Sequence, residues 1–437
     1  MNSQYKSWGR YPTARQTSWS ILLRQDNLPP EKITPSGLPY GLGRSYGDVC
    51  LNDGGTLILT RALNHFISFD TENGILICEA GVSLDEILKL IVPQGWFLPV
   101  TPGTKFVTVG GAIANDVHGK NHHVAGSFGC FVTQFELLRS DGSRLLCTAT
   151  ENEDYYNATI GGMGLTGLIT WARIKLIPIV NNRIAQKTIK FKRLEDFFEL
   201  SNRLAPDYDY TVAWIDCLAS GKSLGRGLFM AGNHATVKNG ISLAYPQNQK
   251  SSSIPFDFPE FVLNNFSIKL FNKLYYHKQR RREKEKLTDF DSFFYPLDGI
   301  NDWNRIYGKR GLLQYQCLVP NHDTDVIRNI LKTISDSRQG SFLAVIKVMG
   351  DIPSAGMMSF PQPGITLALD FPAKESVFRL FKKLDVIVRE AGGRLYPAKD
   401  SCMSAGDFQS YYPEWETFAK FIDPRFSSSF WRRVTNK

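Results

Sequence analysis

The sequence predicts an α+β fold built from two domains. The chain has 437 residues, and a single domain usually holds roughly 100–200 residues. Over residues 37–180 short apolar runs alternate with Gly-rich turns, whereas residues 180–393 follow a strand–helix–strand pattern. Hydrophobic residues make up 43% and charged residues 21% of the chain, which permits large cores and excludes a disordered protein.

The first part contains short strands and one amphipathic helix. Strands are predicted at residues 56–59, 74–79 and 168–177. Residues 83–92 are predicted to form a helix, because Ser83 and Glu86 have the spacing of a capping box and the apolar residues after them share one face. The composition changes after Pro178, so we place a domain boundary there.

The second part alternates strands with longer helices. Strands are predicted at residues 187–194, 208–218, 312–319, 341–348 and 365–371. Helices are predicted at residues 194–204, 323–335 and 374–391. Residues 235–290 fit neither pattern and are interpreted as an excursion from this domain.

The charge and cysteine content narrow the class of protein. The net charge is +9, and residues 269–286 alone carry a net +6, so the balanced remainder does not support a general nucleic-acid-binding surface. The seven cysteines form no C-x-x-C pair, which argues against a disulfide framework and a zinc site and favours a reducing compartment. No signal peptide and no membrane-spanning run is visible, so a cytoplasmic protein is expected.

The first candidate motif is the segment GLGRSYGD at residues 41–48. Three glycines with Arg44 and Ser45 between them can present several backbone N–H groups to an anion such as a diphosphate. A tight surface turn explains the same residues equally well.

The second candidate motif is the segment from Thr108 to His123. Its histidines suggest a metal site, but ligands at zinc spacing are lacking, so no metal is expected. A polar helix end with solvated histidines is the simplest alternative. We favour a third interpretation, in which Gly110 and Gly111 open a helix whose N-terminus faces a phosphate.

Two further segments are candidate functional motifs. Residues 162–167 match G-x-G-x-x-G, but they precede a strand and lack the acidic residue that a dinucleotide fingerprint requires, so a close-packed turn is predicted. Near the C-terminus, Tyr396 and Lys399 could share a cavity, where a buried lysine can take part in proton transfer. Taken alone, Lys399 fits a surface position equally well.

Together these segments resemble one family, the FAD-dependent decaprenylphosphoryl-ribose 2-oxidases of the vanillyl-alcohol-oxidase type. The blocks that carry the resemblance are GLGRSYGD, VTPGTKFVTVGGAIANDVHGKNHHVAGSFG, GGMGLTGLI, LLQYQCLVP and GGRLYPAKDS. The resemblance implies a PCMH-type FAD-binding domain at residues 1–178, completed by residues 394–437. It also implies an inserted α+β substrate domain at residues 179–393.

The resemblance also implies which residues bind FAD. These are Gly41, Leu42, Gly43, Arg44, Ser45, Tyr46, Gly103, Thr108, Val109, Gly110, Gly111, Asn115, Asp116, His118, Ile169 and Tyr396. Non-covalent binding is expected, because residues 37–50 contain no histidine for attachment.

The reaction implied by the resemblance is oxidation of the C2 hydroxyl of a polyprenyl-phosphate-linked pentose. It would be the first half of a 2-epimerisation towards an arabinosyl donor for the cell envelope, completed by an NAD(P)H-dependent keto-sugar reductase. The hydroxyl proton needs an acceptor, and the catalytic residues implied are Lys399, His118, Tyr46 and Lys120. The substrate-binding residues implied are Gln314, Gln316, Lys347 and Lys399.

Two positions depart from the family pattern. Ala368 stands where mycobacterial members carry the cysteine that covalent inhibitors attack, and Thr366 replaces an amide residue. Inhibition at that cysteine should therefore fail here, and contacts to the substrate should differ at Thr366.

Alternative functions remain open on the sequence alone. A soluble FAD-dependent alditol or aldonolactone oxidase would keep the fold and change the substrate, and a nucleic-acid-binding protein would use the basic run at residues 278–286. Leu263, Phe266, Leu270 and Leu274 repeat at helical spacing beside basic residues, which indicates a peripheral membrane contact. An ordinary helix packed through this stripe on its own domain explains the pattern equally well.

Overall fold

The computed structural model describes residues 4–237, 242–245, 252–320 and 324–436. Helix α1 (Leu84–Ile91) shows how local sequence sets the elements. The Ser83 hydroxyl accepts a hydrogen bond from the Glu86 N–H, and the Glu86 carboxylate accepts one from the Ser83 N–H, so the predicted capping box is formed. The apolar face of α1 is fully buried, because it packs on the strands Ile75–Glu79, Val132–Leu138 and Leu168–Lys175.

The remaining elements follow in chain order within the described residues. The strands are β1 (Thr17–Ser20), β2 (Gly37–Tyr40), β3 (Thr56–Leu59), β4 (Phe66–Asp70), β5 (Ile75–Glu79), β6 (Trp96–Phe97), β7 (Val132–Leu138), β8 (Arg144–Cys147), β9 (Leu168–Lys175), β10 (Ile177–Pro178), β11 (Arg183–Phe191), β12 (Tyr210–Ile215), β13 (Gly227–His234), β14 (Ser252–Ser253), β15 (Glu283–Asp289), β16 (Ile300–Asn301), β17 (Leu312–Val319), β18 (Ala344–Met349), β19 (Gly364–Pro372) and β20 (Arg394–Leu395). The further helices are α2 (Val109–Ala114), α3 (His122–Ala125), α4 (Glu153–Thr159), α5 (Leu194–Leu204), α6 (Asn265–Lys278), α7 (Phe290–Phe294), α8 (Thr324–Ser337), α9 (Glu375–Glu390), α10 (Ala405–Tyr411), α11 (Trp415–Ala419) and α12 (Ser429–Thr435).

Three larger sheets, together with the two-stranded sheets β6–β10 and β14–β16, organise the residues that the structure describes. The N-terminal part has a parallel sheet in the order β1-β3-β2 and an antiparallel sheet in the order β4-β5-β9-β7-β8. The third sheet has eight strands in the order β15-β11-β13-β12-β18-β19-β17-β20. This combination confirms the predicted α+β class.

The eight-stranded sheet has two chemically different faces. One face packs its apolar side chains against helices α5, α8 and α9 in a core that includes Tyr315, Leu367 and Leu369. Side chains alternate between the two faces along a strand. The intervening residues of β17, β18 and β19 therefore point to the opposite face, which is where the polar candidate residues lie.

Most predicted elements are present, with shifted ends. The predicted helix 194–204 matches α5. The predicted strand 187–194 ends too late, because Leu194 begins that helix and β11 stops at Phe191. Residue 323, the first of the predicted helix 323–335, lies outside the described residues, and the rest of that helix forms α8.

The interpretation of residues 235–290 as an excursion is wrong for its last part. β15 pairs with β11 along seven residues and forms an edge of the eight-stranded sheet. Its alternating Glu and Lys side chains are exposed, and Lys187 on β11 bonds Glu283 and Glu285 at 3.2 Å each. Charged edge strands lack the apolar alternation that identifies a strand from sequence. Residues 238–241 and 246–251 lie outside the described residues.

Helix α6 packs on its domain through a different face from the predicted stripe. Ile268, Asn272 and Tyr276 are its buried residues. The stripe residues are exposed, with Phe266 75% and Leu274 63% accessible, whereas Leu263 is partly buried. No helix among the described residues is both long and apolar enough to cross a membrane.

The C-terminal segment joins distant parts of the chain. Arg394–Leu395 forms β20 at one edge of the eight-stranded sheet, and Gly37 of β2 forms an isolated bridge with Phe426. On α12, the Arg433 guanidinium bonds both oxygens of Asp48 at 2.7 and 2.8 Å and the Asp400 carboxylate at 2.8 Å. The domain limits given above stay a prediction.

Replacing Arg433 with Met should lower the free energy of unfolding by about 3 kcal/mol, because it leaves two buried carboxylates without their cation. Asp48 and Asp400 side chains are 4% and 6% exposed. Chemical denaturation of the apoprotein measures this change. The control is Arg379→Met, which removes an exposed i,i+4 pair and should cost under about 0.5 kcal/mol. Equal losses in the two variants would contradict the Arg433 prediction.

Candidate active site

The polar face of the eight-stranded sheet supplies the base of the candidate site. Gln314 and Gln316 on β17 lie opposite Asp370 and Ala368 on β19. Lys347 on β18 lies opposite Thr366 on β19. Since these positions are two residues apart on neighbouring strands, their side chains share one face.

The segment GLGRSYGD lies over this face. The Tyr46 N–H donates to the Ala398 carbonyl at 2.9 Å, which joins the segment to the residues before Lys399. Position 47 must be glycine, because a Cβ there would collide with the Asp400 carbonyl. The Tyr46 ring is buried, and its hydroxyl forms a hydrogen bond with the Gln314 side chain.

The second motif forms the predicted helix, but its N-terminus is already occupied by protein acceptors. The N–H groups of Val109 and Gly110 donate to the carbonyls of Val82 and Ala80 at 2.8 Å each, and Gly111 N–H donates to the Thr108 hydroxyl. The interpretation that these first N–H groups bind a phosphate is therefore wrong. The signal that misled it was the Gly-Gly pair, which instead allows α2 to approach Ala80.

The N–H groups left without a hydrogen bond belong to the first motif. Among the described residues, none of the backbone N–H groups of Leu42, Gly43, Arg44 and Ser45 has a partner. Gly43 has a φ of +61°, a conformation that glycine adopts without strain. A loop with successive free N–H groups is a suitable site for a diphosphate.

Four basic side chains converge near the centre of the site. The Lys399 Nζ lies 3.8 Å from the centre of the Tyr46 ring. The Lys347 Nζ donates to the Gly119 carbonyl at 2.8 Å, and the Lys120 Nζ donates to the Phe294 carbonyl at 3.0 Å. His118 completes the group, with its Nε2 3.0 Å from the side-chain nitrogen of Gln316.

Burial weakens proton binding at each of these bases. Burial lowers the pKa of Lys120 to about 8, and burial together with the charges of Lys120 and Lys399 lowers the pKa of Lys347 to about 7. Burial and then the charge of Lys347 hold the pKa of His118 well below its ordinary value, so this imidazole is neutral. The pKa of Lys399 is also lowered by burial, an effect that Asp370 partly offsets.

The hydrogen bonds of Gln316 fix the tautomer of His118. Thr366 donates its hydroxyl proton to the Cys317 carbonyl at 2.9 Å, so its oxygen accepts from the Gln316 amide nitrogen at 3.4 Å. The same nitrogen therefore donates to His118 Nε2, and the imidazole proton lies on Nδ1. His118 Nδ1 is buried without a partner and can donate to a bound ligand.

The other histidines of the second motif form their own hydrogen bonds, although His122 lies close enough to help lower the pKa of His118. His122 Nδ1 accepts from the Gly350 N–H at 3.2 Å, and His123 Nε2 lies 3.0 Å from the Tyr208 carbonyl. Asp116 accepts hydrogen bonds from the Gly129 N–H and the Ser354 hydroxyl, so it holds two loops together.

The C-terminal block returns to the site as the sequence predicts. The Tyr396 N–H donates to the Gln316 carbonyl at 3.0 Å, and its hydroxyl donates to the Asn115 carbonyl at 2.7 Å. Its ring centre lies 5.3 Å from that of His118. Ile169 is buried on β9, in the core of the five-stranded antiparallel sheet.

Sequence reasoning missed Asp370. This carboxylate is 2% exposed and accepts a short hydrogen bond from the Gln314 side-chain amide. A charged residue within the apolar strand GITLALDFP, two positions after Ala368, was the available signal.

Comparison with known proteins identifies the class. Residues 36–148 match the family model of the FAD-binding domain. Together with the α+β fold, this match defines an FAD-dependent oxidoreductase of the PCMH type.

The relatives narrow the class to one family. The chain is 38% identical over 409 residues to decaprenylphosphoryl-beta-D-ribose oxidase of Mycolicibacterium smegmatis, covering 90% of this chain and 88% of that protein. It is 32% identical over 130 residues to the human delta(24)-sterol reductase, covering 30% of this chain and 24% of that one. A Neurospora crassa protein assigned as a D-arabinono-1,4-lactone oxidase is 25% identical over 161 residues, or 36% of this chain and 28% of that protein. The chain belongs to the decaprenylphosphoryl-beta-D-ribose oxidase family.

The residues present fit FAD. Loop 42–45 offers free N–H donors, a Cβ at Gly103 would meet no atom within 4 Å, and the buried Asn115 Oδ1 has no partner. Gly41 lies against the Thr108 side chain, which brings the two motifs together. The Arg44 guanidinium lies 4.1 Å from the centre of the Trp8 ring.

FAD should be held non-covalently, since residues 37–50 contain no histidine for attachment. Acid precipitation of the purified protein should therefore release the yellow colour into the supernatant. Colour that stays with the pellet would contradict this prediction.

Proposed function

We propose that the protein oxidises the C2 hydroxyl of a polyprenylphosphoryl pentose to a ketone, as the first half of a 2-epimerisation. The observation that carries this proposal is the pair of half-buried lysines, Lys120 and Lys347, whose ammonium groups have no carboxylate within 4.0 Å among the described residues. The family supports the ribose moiety, because the Mycolicibacterium smegmatis relative is named for decaprenylphosphoryl-beta-D-ribose.

Lys105 is a buried lysine whose positive charge is balanced by neighbouring carboxylates. Its Nζ lies 3.0 Å from Asp291 and 3.1 Å from Asp85, so its charge is compensated. Among the described residues, by contrast, no carboxylate lies within 4.0 Å of the Lys120 or the Lys347 Nζ. A buried cation without an anion is costly. A substrate phosphodiester, which carries one negative charge, would supply the missing anion.

The remaining residues suit oxidation of a neighbouring hydroxyl group. When bound, FAD supplies the acceptor for the hydride that leaves C2. We assign Lys399 to receive the hydroxyl proton, because its lowered pKa allows a neutral amine near physiological pH. We assign the Nδ1–H of His118 and the hydroxyl of Tyr46 to orient the sugar, and Gln314 and Gln316 to hold these two side chains.

A soluble alditol or aldonolactone oxidase fits less well. A neutral polyol or lactone would leave Lys120 and Lys347 uncompensated. The similarity to the lactone oxidase relative covers 36% of this chain, against 90% for the ribose oxidase.

We also propose that helix α6 contacts the membrane that holds the prenyl tail. The α6 apolar surface comprises Phe261, Phe266, Leu270, Phe271 and Leu274, which are between 44% and 76% exposed. Lys269, Lys273 and the exposed Arg280, Arg281 and Arg282 flank it, as an anionic lipid surface requires. The ring centres of Phe271 and Phe342 lie 5.4 Å apart, and the stacked rings of Phe342 and Tyr307 have centres 5.8 Å apart. These aromatic contacts support an apolar route from this surface towards Tyr46.

The product chemistry implies a second enzyme. A 2-keto sugar must be reduced at the opposite face to complete an epimerisation, so we propose a nicotinamide-dependent keto-sugar reductase as the partner reaction.

Replacing Lys347 with Met should raise the KM for a prenylphosphoryl pentose by about tenfold, the loss of one charge-assisted contact. The same change should raise the free energy of unfolding of the apoprotein by about 1 kcal/mol, because it removes an uncompensated buried charge. Steady-state kinetics and chemical denaturation measure the two effects.

Lys105→Met is the matched control, since it removes a compensated buried lysine and should destabilise the protein by about 3 kcal/mol. A Lys347→Met variant that is destabilised as much as Lys105→Met, with unchanged KM, would refute the phosphate assignment.

Wild-type protein should co-sediment with anionic liposomes at low salt and release at high salt, because each basic residue near the surface contributes about 1 kcal/mol. Changing Arg280, Arg281 and Arg282 to Ser should weaken this binding. Changing Arg379, Lys382 and Lys383, exposed on α9, to Ser is the matched control and should leave it intact. Failure of the wild-type protein to bind at low salt would exclude the membrane role.

A further inference from the structure

Asp370 is a buried carboxylate on the polar face of the eight-stranded sheet. It lies on β19 directly opposite Gln314 on β17. Its N–H donates to the Ser341 hydroxyl at 3.1 Å, which holds its backbone in the sheet. Its carboxylate is oriented by the Gln314 side-chain amide, which also bonds the Tyr46 hydroxyl.

The groups facing this carboxylate come from three other segments. Tyr46 belongs to the loop at residues 41–48, Tyr307 to the turn Trp303–Tyr307, and Lys399 to the segment after β20. Of these, Lys399 is the cation that interacts with Asp370. Lys347 on β18 lies close enough to Lys399 that the charge of Lys399 helps to lower the pKa of Lys347.

The lysines of the site fall into two groups according to whether a carboxylate interacts with them. Among the described residues none of Lys120, Lys347 and Lys399 has a carboxylate within 4.0 Å, but Lys399 alone interacts electrostatically with Asp370, across the Tyr46–Gln314 pair. A lysine that receives a proton in a buried site becomes an ammonium ion, and a fixed carboxylate nearby stabilises that ion.

We propose that Asp370 is the positioning residue for Lys399: its carboxylate, oriented by Gln314, stabilises the ammonium group that forms when Lys399 accepts the substrate hydroxyl proton. This inference rests on the proposed function. In the step, the O–H bond breaks and a new N–H bond forms on Lys399. The C2–H bond breaks with its electron pair passing to FAD, and the C2–O bond becomes a carbonyl.

Removing the carboxylate should lower the proton affinity of Lys399. A nearby negative charge raises the pKa of a lysine, so without Asp370 the effect of burial on Lys399 acts alone. The neutral amine then persists to lower pH but is a weaker base.

The test compares Asp370→Asn with Asp370→Glu and wild type in the FAD-loaded protein. The acid limb of the pH profile for anaerobic flavin reduction by a prenylphosphoryl ribose should move down by about one pH unit in Asp370→Asn. The plateau rate should fall by roughly tenfold. Asp370→Glu should partly restore both the acid limb of the pH profile and the plateau rate, because glutamate keeps the negative charge.

A second readout needs no substrate. Acylation of Lys399 by an amine-selective reagent, located by mass spectrometry, should reach half its maximal rate about one pH unit lower in Asp370→Asn. Exposed Lys382 serves as the internal reference and should not change. If Asp370→Asn fails to bind FAD, Asp370→Ser is used instead.

The two readouts separate the possible failures. Unchanged labelling of Lys399 in the variants overturns the role of Asp370, whatever the substrate. Shifted labelling together with no flavin reduction by any prenylphosphoryl sugar in wild type supports the Asp370–Lys399 coupling and overturns the proposed function instead.

Discussion

The structure depends on one electrostatic constraint: half-buried lysine side chains gather against one face of a sheet with too few carboxylates to balance them. Among the described residues, the Lys120 and Lys347 ammonium groups donate to backbone carbonyls and have no carboxylate partner, while Lys399 interacts with the Asp370 carboxylate. Burial of an uncompensated cation destabilises a protein unless a ligand supplies the anion. The site is therefore complementary to an anionic substrate before any contact to the sugar is considered.

The surrounding fold serves to hold this cluster in place. Arg433 binds Asp48 and Asp400, the neighbours of Gly47 and Lys399, and so fixes the first motif against the C-terminal block. Tyr46 and Tyr396 each use one backbone N–H to attach these segments to their neighbours. The ends of the chain and the sheet between them thus meet at one place, which short-range sequence signals do not reveal.

Local physics explains which parts were predictable. The α1 boundaries follow from the Ser83 and Glu86 spacing, and the apolar alternation of β17 and β19 identifies these strands. The edge strand β15 was missed because its stability comes from pairing with β11 and not from an apolar pattern. The N–H groups at α2 were misassigned because their acceptors, Val82 and Ala80, come from another turn of the chain.

In the candidate site, too, the features that depend on tertiary contacts could not be predicted from local sequence. The resemblance supplied most of its residues, but the burial of Lys399 depends on Gly47 and Asp400 being in contact, which is a tertiary property. Asp370 was overlooked for the same reason, since its importance lies in the residues across the sheet and not in its own segment.

The most direct measurement is anaerobic flavin reduction by two matched ligands. One is a short-chain prenylphosphoryl ribose, and the other is the same prenyl riboside without the phosphate. If the uncompensated lysines bind the phosphate, the phosphodiester should bleach the flavin. The protein should bind it with an apparent affinity at least roughly tenfold tighter than the neutral riboside. Equal affinity and equal rates for the two ligands would contradict it.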